Sequence, residues 1–503
     1  MLILLGLAAF KLFLHLYVNT FTAYGYFRDE LYFLACGEHL AWGYVDQPPL
    51  VAVVAWAARA LLGDSLFAIR FFPALSGALK LILAGLIARE LGGGRFAQVL
   101  AALTVLVSGV YLAHDNFLSM NTFDQLFWTL AAYLLILILK SDSPRLWFPF
   151  GVVVGLGLLN KYSLFFFGAA LVIALVFTPA RKYFASPWLY AGGALALAMV
   201  LPNLLWQYRH GWPQLELLRN ADAFKNVPFS VGGFLGGITL EMNPHNLPLW
   251  LAGLCFFLFA REGKPFRALG WLFLAAVGLL MAGRGKPYYA AAAFIPVLAA
   301  GALVFERFCE ARRWNWAKPV LVVFLLIGGV ISAPFGLPIL PVEQFILYSK
   351  WIGITPPATE RHQMGPLPQF YADMHGWPEM VAEVARVYNR LPLLERGRTT
   401  IYCSNYGEAA AIDFFGPLYS LPKAISGHNS YWVWGPGRFK TDIVITVGER
   451  REDVENSFEQ VEEAGRFSHP FAMPYEQRHP IYLARKPKFS SIRDIWPRTK
   501  VFI

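Results

Sequence analysis

The chain has 503 residues, of which 56% are hydrophobic, 16% aromatic and only 15% charged. A soluble globular chain carries roughly a quarter of its residues charged, so this composition excludes an ordinary soluble enzyme, a coiled coil and a disordered chain. The formal net charge of +10 is spread between apolar runs rather than gathered in one patch. It reads as a topology and lipid-headgroup signal, not as a nucleic-acid surface.

A membrane-crossing helix needs about 20 apolar residues. On that measure candidate spans fall near 1–19, 66–88, 97–113, 121–139, 147–160, 162–179, 187–206, 244–260, 268–283, 288–304 and 318–335. That makes about eleven spans of the required length. The first lacks the basic start and the small-residue cleavage site of a secretory signal, which favours an uncleaved anchor. Residues 49–63 are too short to cross and suit an interfacial helix. Arg89, Arg95, Lys140, Arg145, Arg181, Lys182, Arg261, Lys264, Arg267, Arg307, Arg312, Arg313 and Lys318 occupy one set of alternate loops, which the charge bias places in the cytoplasm. The opposite loops, 20–48, 114–120, 160–162, 207–243, 284–287 and everything after 335, are then external. Arg28, Lys161, Arg209, Arg219, Lys225, Arg284 and Lys286 lie on that external side, against the bias.

Charge rises after residue 335 and the long apolar runs stop. The expected organisation is a transmembrane domain over 1–335, including the first external loop 20–63, and an external α/β domain over 336–503. In the tail, helices are expected at 376–391, 407–415 and 451–464, and strands at Thr399–Cys403, Asp442–Val447 and Ile481–Arg485. The Pro-rich stretch 334–370 reads as a linker along the membrane surface. Cys36, Cys255, Cys309 and Cys403 are far apart with no CxxC. Free thiols are expected ahead of a Cys36–Cys403 bridge.

The most informative stretch is FRDELYFLACGEHLAWGYVDQPPL, residues 27–50. Asp29 and Glu30 follow the first span at once, and Asp46 precedes Pro48–Pro49, where a helix can restart. Carboxylates beside an apolar wall are candidates for shifted acidity and for chemistry. The plain alternative is a set of solvated interfacial acids. His114, Asp115 and Asn116 form a short external turn. A divalent ion is one option there, behind acceptor or structural roles, since three adjacent side chains cannot all face one ion unaided. Glu241, His245 and Asn246 form a second polar cluster, with a helix cap as its equal alternative. Lys11, His15 and Lys80 stand inside apolar runs, where charge is costly and usually faces a polar interior. Lys80 is too far along the helix from Glu90 for an easy pair. The triplet Gly92–Gly94 lacks the Lys-Ser/Thr of a phosphate loop.

The Asp-Glu pair after the first span, the short amphipathic helix and the D-x-P-P motif resemble the opening signature of membrane-embedded GT-C glycosyltransferases. Within them the chain is similar to the bacterial protein O-mannosyltransferase, aminoarabinose transferase and Rgt-type galacturonosyltransferase group, glycosyltransferase family 39-like. The motifs HDNFLSMNTFDQLFW (114–128), GLGLLNKYSLFF (155–166), GRGKPYYAAAAFIP (283–296) and the segment 402–437 carry the resemblance onward. It implies a multi-span α-helical membrane protein of a bacterial plasma (inner) membrane, with its active site and C-terminal domain on the external, periplasmic face. It implies inverting transfer of a sugar from a polyprenyl-phosphate donor to a lipid, glycan or protein acceptor, with membrane lipids as further partners and no nucleic acid. Asp29 would be the general base, Glu30 would orient it or bind acceptor hydroxyls, and Asp46 would hold the loop or bind sugar.

The departing phosphate gains negative charge, and fixed cations there stabilise the transition state more than the ground state. Lys161 in N-K-Y, and Arg284 and Lys286 with Tyr288 in GRGKPYY, are the candidates; their alternative is snorkelling to lipid headgroups. His114, Asp115 and Glu241 complete the candidate substrate-binding set. In aminoarabinose transferases the residue before the proline of the second motif is a basic phosphate contact, whereas this chain has Gln47. No cofactor is called for beyond the optional divalent metal. The rival reading is a non-enzymatic transporter or flippase of lipid-linked sugars. Against it, no half-repeat is visible and the carboxylates lie at the membrane boundary rather than at the midplane.

Overall fold

In the computed structural model, which describes residues 1–355, 360–437 and 442–503, every apolar run named above is helical. Among the described residues, seven helices are long and apolar enough to cross a membrane: Leu2–Phe21, Leu66–Glu90, Met120–Ser141, Pro187–Arg209, Lys264–Ala282, Pro287–Arg312 and Ala317–Gly336. An eighth results if Ser163–Val176 and Pro179–Ala185, which meet at 110°, form one broken span. The protein is thus a multi-span membrane protein, with fewer full-length crossings than the apolar runs suggested. The run 97–113 divides into Arg95–Leu106 and Gly109–His114. The break falls where Ser108 turns extended and its hydroxyl donates back to the Thr104 carbonyl, a bond that competes with the helical ladder. The stretch 207–243, expected as loop, contains the helices Pro213–Asn220 and Val231–Glu241.

The chain divides into two compact units. The first comprises Met1–Thr22, Ala58–Leu205 and Pro228–Leu340. Its core is a continuous cluster of Leu, Ala, Val and Phe from nearly all of its helices. Helices Leu247–Phe259 and Phe294–Arg312 touch backbone to backbone: a Cβ on Gly253 would collide with the Val297 carbonyl, and one on Gly301 with the Leu249 carbonyl. Small residues at such contacts give apolar helices their attraction where no hydrophobic effect separates helix from lipid.

The second unit comprises Ala23–Ala57, Trp206–Val227 and Pro341–Ile503. Residues 23–57, which the sequence attaches to the membrane part, therefore pack with the C-terminal part. The helix Arg28–Glu38 opens the unit, and Leu50–Leu62 restarts directly after Pro48–Pro49, as the prolines imply. A five-stranded sheet forms its centre: β1 (Thr399–Cys403), β2 (Ala424–Ser426), β3 (Ile443–Val447), β4 (Phe458–Phe467) and β5 (His479–Pro487), in the order β2-β1-β3-β5-β4. β2, β1 and β3 are parallel, while β5 runs antiparallel to β3 and β4. The helices Trp377–Asn389 and Tyr406–Phe415 lie where the sequence puts them. The helix expected over 451–464 does not: Arg451–Ser457 is helical, and the chain then becomes edge strand β4. Phe458, Val461 and Ala464 mimic a helical repeat, but a bulge between Glu463 and Gly465 shifts the strand's register. Its exposed glutamates protect the sheet edge. All four cysteines are free thiols.

Candidate functional site

In the second unit the helix Arg28–Glu38 places Asp29 and Glu30 in its first turn. Glu30 is wholly buried, and its Oε2 accepts the Phe27 backbone N–H at 2.9 Å. It caps the helix, satisfying a donor that has no partner within the helix. Asp29 is half-buried. Its Oδ1 accepts a hydrogen bond of 2.8 Å from the hydroxyl of Tyr406, on the helix Tyr406–Phe415. The Tyr406 ring lies 4.7 Å from the Tyr32 ring and 4.8 Å from the His428 ring, and the Arg28 guanidinium sits 4.7 Å from its centroid.

Asp46 joins the same constellation. Its Oδ1 is 2.8 Å from the Tyr32 hydroxyl, which is also 2.7 Å from Ser430 Oγ. Burial pushes the Asp46 carboxyl up to about 7; the Tyr32 hydrogen bond pulls it back, and the charge of Asp29 raises it further. Asp373 is likewise pushed to about 7, chiefly by burial, with Arg28 opposing and Asp29 reinforcing. Burial, then the charge of Asp29, holds the Tyr406 hydroxyl far above its ordinary range, so it stays protonated and donates to Asp29. Gln47 is fully buried, its amide 3.6 Å from Cys36 Sγ, and belongs to the interior of the loop.

Behind Arg28 lies a second polar cluster that the sequence did not announce. Arg28 donates to the Tyr475 hydroxyl at 3.0 Å and is 4.0 Å from Glu476. His479 Nδ1 is 2.9 Å from Glu408 and 3.6 Å from Glu476. Burial lowers the His479 imidazole, but Glu408 and Glu476 outweigh it and raise the group to about 9. Among the described residues, Glu408, Glu476 and His479 are the group whose ligand atoms, all within 4.8 Å of one another, have the spacing to hold a metal ion. A protonated His479 supplies positive charge at the same place.

In the first unit, Asp115 is committed to cations: its Oδ2 is 2.8 Å from Lys11 Nζ and its Oδ1 is 2.6 Å from Lys80 Nζ, with all three side chains buried. The Thr122 hydroxyl adds a third contact at 2.5 Å. These bonds explain the intramembrane lysines, and they leave Asp115 engaged inside the helices. Lys80 also reaches Gln125, whose amide meets His114 Nδ1 at 2.7 Å. The His114 ring packs edge-on to Tyr288 at 5.2 Å. Lys161 donates to Asn121 at 2.7 Å and lies 4.2 Å from the Tyr289 ring centroid and 5.9 Å from that of Tyr288. The N-K-Y and K-P-Y-Y motifs therefore meet through His114, Lys161 and Tyr288. Arg284 is exposed with a positive φ of 53°, and Lys286 precedes the short helix Pro287–Ala293. Glu241 ends the helix Val231–Glu241, and the neighbouring polar residues hold backbone. Asn243 caps His245, and Asn246 donates to the Thr104 and Met242 carbonyls.

Residues 46–206 match the Dolichyl-phosphate-mannose-protein mannosyltransferase family. A curated relative, the Lipid A galacturonosyltransferase RgtD of Rhizobium johnstonii, is 30% identical over 197 residues, 38% of this chain and 40% of that protein. The match thus spans well under half of the relative's length. The fold is that of ArnT from Cupriavidus metallidurans. The apo structure matches with a TM-score of 0.61 at 15% identity, and the one bound to undecaprenyl phosphate with 0.60 at 13%; each comparison covers 96% of this chain and 97% of ArnT. The oligosaccharyltransferase of Archaeoglobus fulgidus follows with a TM-score of 0.51 at 14% identity, over 89% of this chain and 69% of that one.

Proposed function

We propose, from the match of residues 46–206 to the Dolichyl-phosphate-mannose-protein mannosyltransferase family, that the chain is an inverting membrane glycosyltransferase. Its donor is a sugar on a polyprenyl phosphate, and its acceptor is a hydroxyl presented at the external face of a bacterial inner membrane. The observation that carries this reading is the state of Asp29, a half-buried carboxylate in a helix's first turn, held by a tyrosine hydroxyl and coupled to Asp46. ArnT has been seen with undecaprenyl phosphate and RgtD is named for lipid A. These two supports make an undecaprenyl-phosphate sugar and a lipid A-type glycolipid the first donor and acceptor to try.

In the proposed reaction Asp29 takes the proton of the acceptor hydroxyl as its oxygen attacks the anomeric carbon. The bond from that carbon to the phosphate oxygen breaks, the configuration inverts, and polyprenyl phosphate leaves as a monoester. A positioned base is worth about 100- to 10,000-fold. Asp46 and its neutral–ionised balance near pH 7 suit a sugar-hydroxyl contact. Glu30 serves Asp29 by capping its helix. Lys161, Lys286, Arg284 and Tyr288 are the proposed partners of the phosphate, whose charge grows as the bond breaks. His114 supports Tyr288, Asp115 holds the lysines, and Glu241 ends its helix close by in sequence to the capping asparagines.

The test is transfer by the purified protein in detergent from a panel of polyprenyl-phosphate sugars, followed by mass spectrometry of the products. Asp29→Asn should lower turnover by about 100- to 10,000-fold while donor binding persists. Full turnover by that variant overturns the base assignment, and no transfer from any donor overturns the reaction class.

A further inference from the structure

We propose that Tyr406 is the positioning residue of the base: its hydroxyl fixes the Asp29 carboxylate so that one oxygen is held by the protein and the other meets the acceptor proton. This deepens the proposed function and rests on the reading of Asp29 as base.

The bond joins residues 377 positions apart in sequence, at 2.8 Å. Among the described residues no other side chain hydrogen-bonds the Asp29 carboxylate. Every feature around Tyr406 restrains it. It is 8% exposed, and its ring is packed by Tyr32, by His428 and by the Arg28 guanidinium. Its backbone stands at the first position of the helix Tyr406–Phe415, which begins with a reciprocal capping box between Asn405 and Glu408. Glu408 Oε2 is in turn gripped by the Ser404 backbone N–H at 2.9 Å and by its hydroxyl at 3.0 Å. A helix start tied down this firmly cannot rotate without losing several bonds at once. The residue after Tyr406 is glycine for a steric reason: a Cβ on Gly407 would lie 2.7 Å from both Cγ and Nε of Arg28. Arg28 precedes the base and stacks on the tyrosine, so the two helices are fitted to each other around the Asp29–Tyr406 bond.

A donor on a general base carries a chemical cost, because a hydrogen bond to the charged form favours that form and makes it a weaker base. The half-buried Asp29 keeps contact with water for its solvation. A buried tyrosine placed there is therefore useful for geometry: a base must meet its proton at hydrogen-bond distance, and a misplacement of about 1 Å costs on the order of 100-fold. In this proposal Tyr406 acts through Asp29, as a positioning residue.

The experiment is a double-mutant cycle on the full-length protein in detergent, with Tyr406→Phe, Asp29→Asn and the pair, assayed by sensitive transfer of a radiolabelled sugar. Phe keeps the ring packing and removes only the hydroxyl. The expected result for Tyr406→Phe is a loss of about 10- to 100-fold in kcat, with the KM for donor nearly unchanged. In the Asp29→Asn background the same change should cost nothing further. Gly407→Ala, which leaves both side chains intact and displaces Arg28, should lower kcat by a smaller factor. Wild-type kcat in Tyr406→Phe overturns the proposal. So does an equal loss in the wild-type and Asp29→Asn backgrounds, the signature of a purely structural role, and so does wild-type kcat in Gly407→Ala. The base reading fails separately, by full activity of Asp29→Asn; an inactive Asp29→Asn beside a fully active Tyr406→Phe removes only the positioning role.

Discussion

Charge is buried in both units of the molecule, and the two do it by different means. In the first, Asp115 lies between Lys11 and Lys80 with all three side chains shielded from solvent, and the Thr122 hydroxyl adds a neutral donor beside the two cations. In the second, Glu408 is equally shielded, but its oxygens are met by two backbone N–H groups, a serine hydroxyl and His479. Helical spans use up their own backbone donors, so a buried ion there depends on another ion. A strand-to-helix turn leaves N–H groups unpaired, and a carboxylate can take those instead. The lesson is that the same carboxylate chemistry is brittle in one setting and shared among many donors in the other.

The largest expected effect breaks that contrast at its brittle end. Asp115→Asn removes the single anion that two buried lysines share, and breaking a buried pair costs about 3–5 kcal/mol. Thermal unfolding in detergent should show a severe drop in Tm or failure to accumulate. Glu408→Gln, which keeps an acceptor for the same backbone groups, should cost about 1–2 kcal/mol, the scale of a lost helix cap. Equal losses in the two variants would show that the settings do not differ as argued.

Much of this was visible in the chain itself. Asp29 and Glu30 stand out because they end an apolar run, and Lys11 and Lys80 because they interrupt one. Their partners were not legible. Asp115 is 35 residues from Lys80 and reads locally as part of an external polar turn with an acceptor-binding or structural role, so its tie to the lysines is not visible from its neighbours. Tyr406 sits in an ordinary helix start, and nothing in its neighbourhood points back to a residue 377 positions earlier. Glu30 looked catalytic because a capping carboxylate and a reacting one have the same letter; only the 2.9 Å bond to the Phe27 N–H separates them. Strand β4 was hidden by apolar spacing of three, which a bulged strand and a helix share. Length was the other gap. Hydropathy marks the run 97–113 as apolar, but not that Ser108 breaks it.

The next prediction sharpens the donor-rich end of the comparison. His479 is lowered by burial but raised to about 9 overall by Glu408 and Glu476, against an unfolded value near 6.5. A group raised in the folded state contributes stability that is complete below the unfolded value and is lost as pH rises through the folded one. The Tm of the wild-type protein should therefore fall between about pH 6.5 and pH 9. Asp46 and Asp373, each raised to about 7, add a decline of their own at lower pH, which ends near pH 7. Subtracting the profile of His479→Gln isolates the histidine. The difference between the two proteins should be largest at acidic pH and vanish in alkali; a pH-independent difference would mean that the imidazole is neutral when folded.

The smallest effect concerns Asp46, and its sign runs opposite to that of a stabilising carboxylate. Burial raises this carboxyl from 3.8 to about 7, with the charge of Asp29 adding to the rise. The folded protein therefore holds a proton that the unfolded chain releases, and stability declines as pH climbs from about 4 to 7. Asp46→Asn keeps the shape and an acceptor for the Tyr32 hydroxyl but has no charge to bury. Its Tm should match the wild type near pH 4 and exceed it by a few degrees above pH 7. If the sugar-binding role is right, the same variant should transfer sugar less well, since a carboxylate retained against the stability of its own domain fits the trade between activity and stability. A Tm below wild type at alkaline pH would instead make the ionised Asp46 a structural partner of Tyr32 and Ser430, and would remove it from the list of sugar contacts.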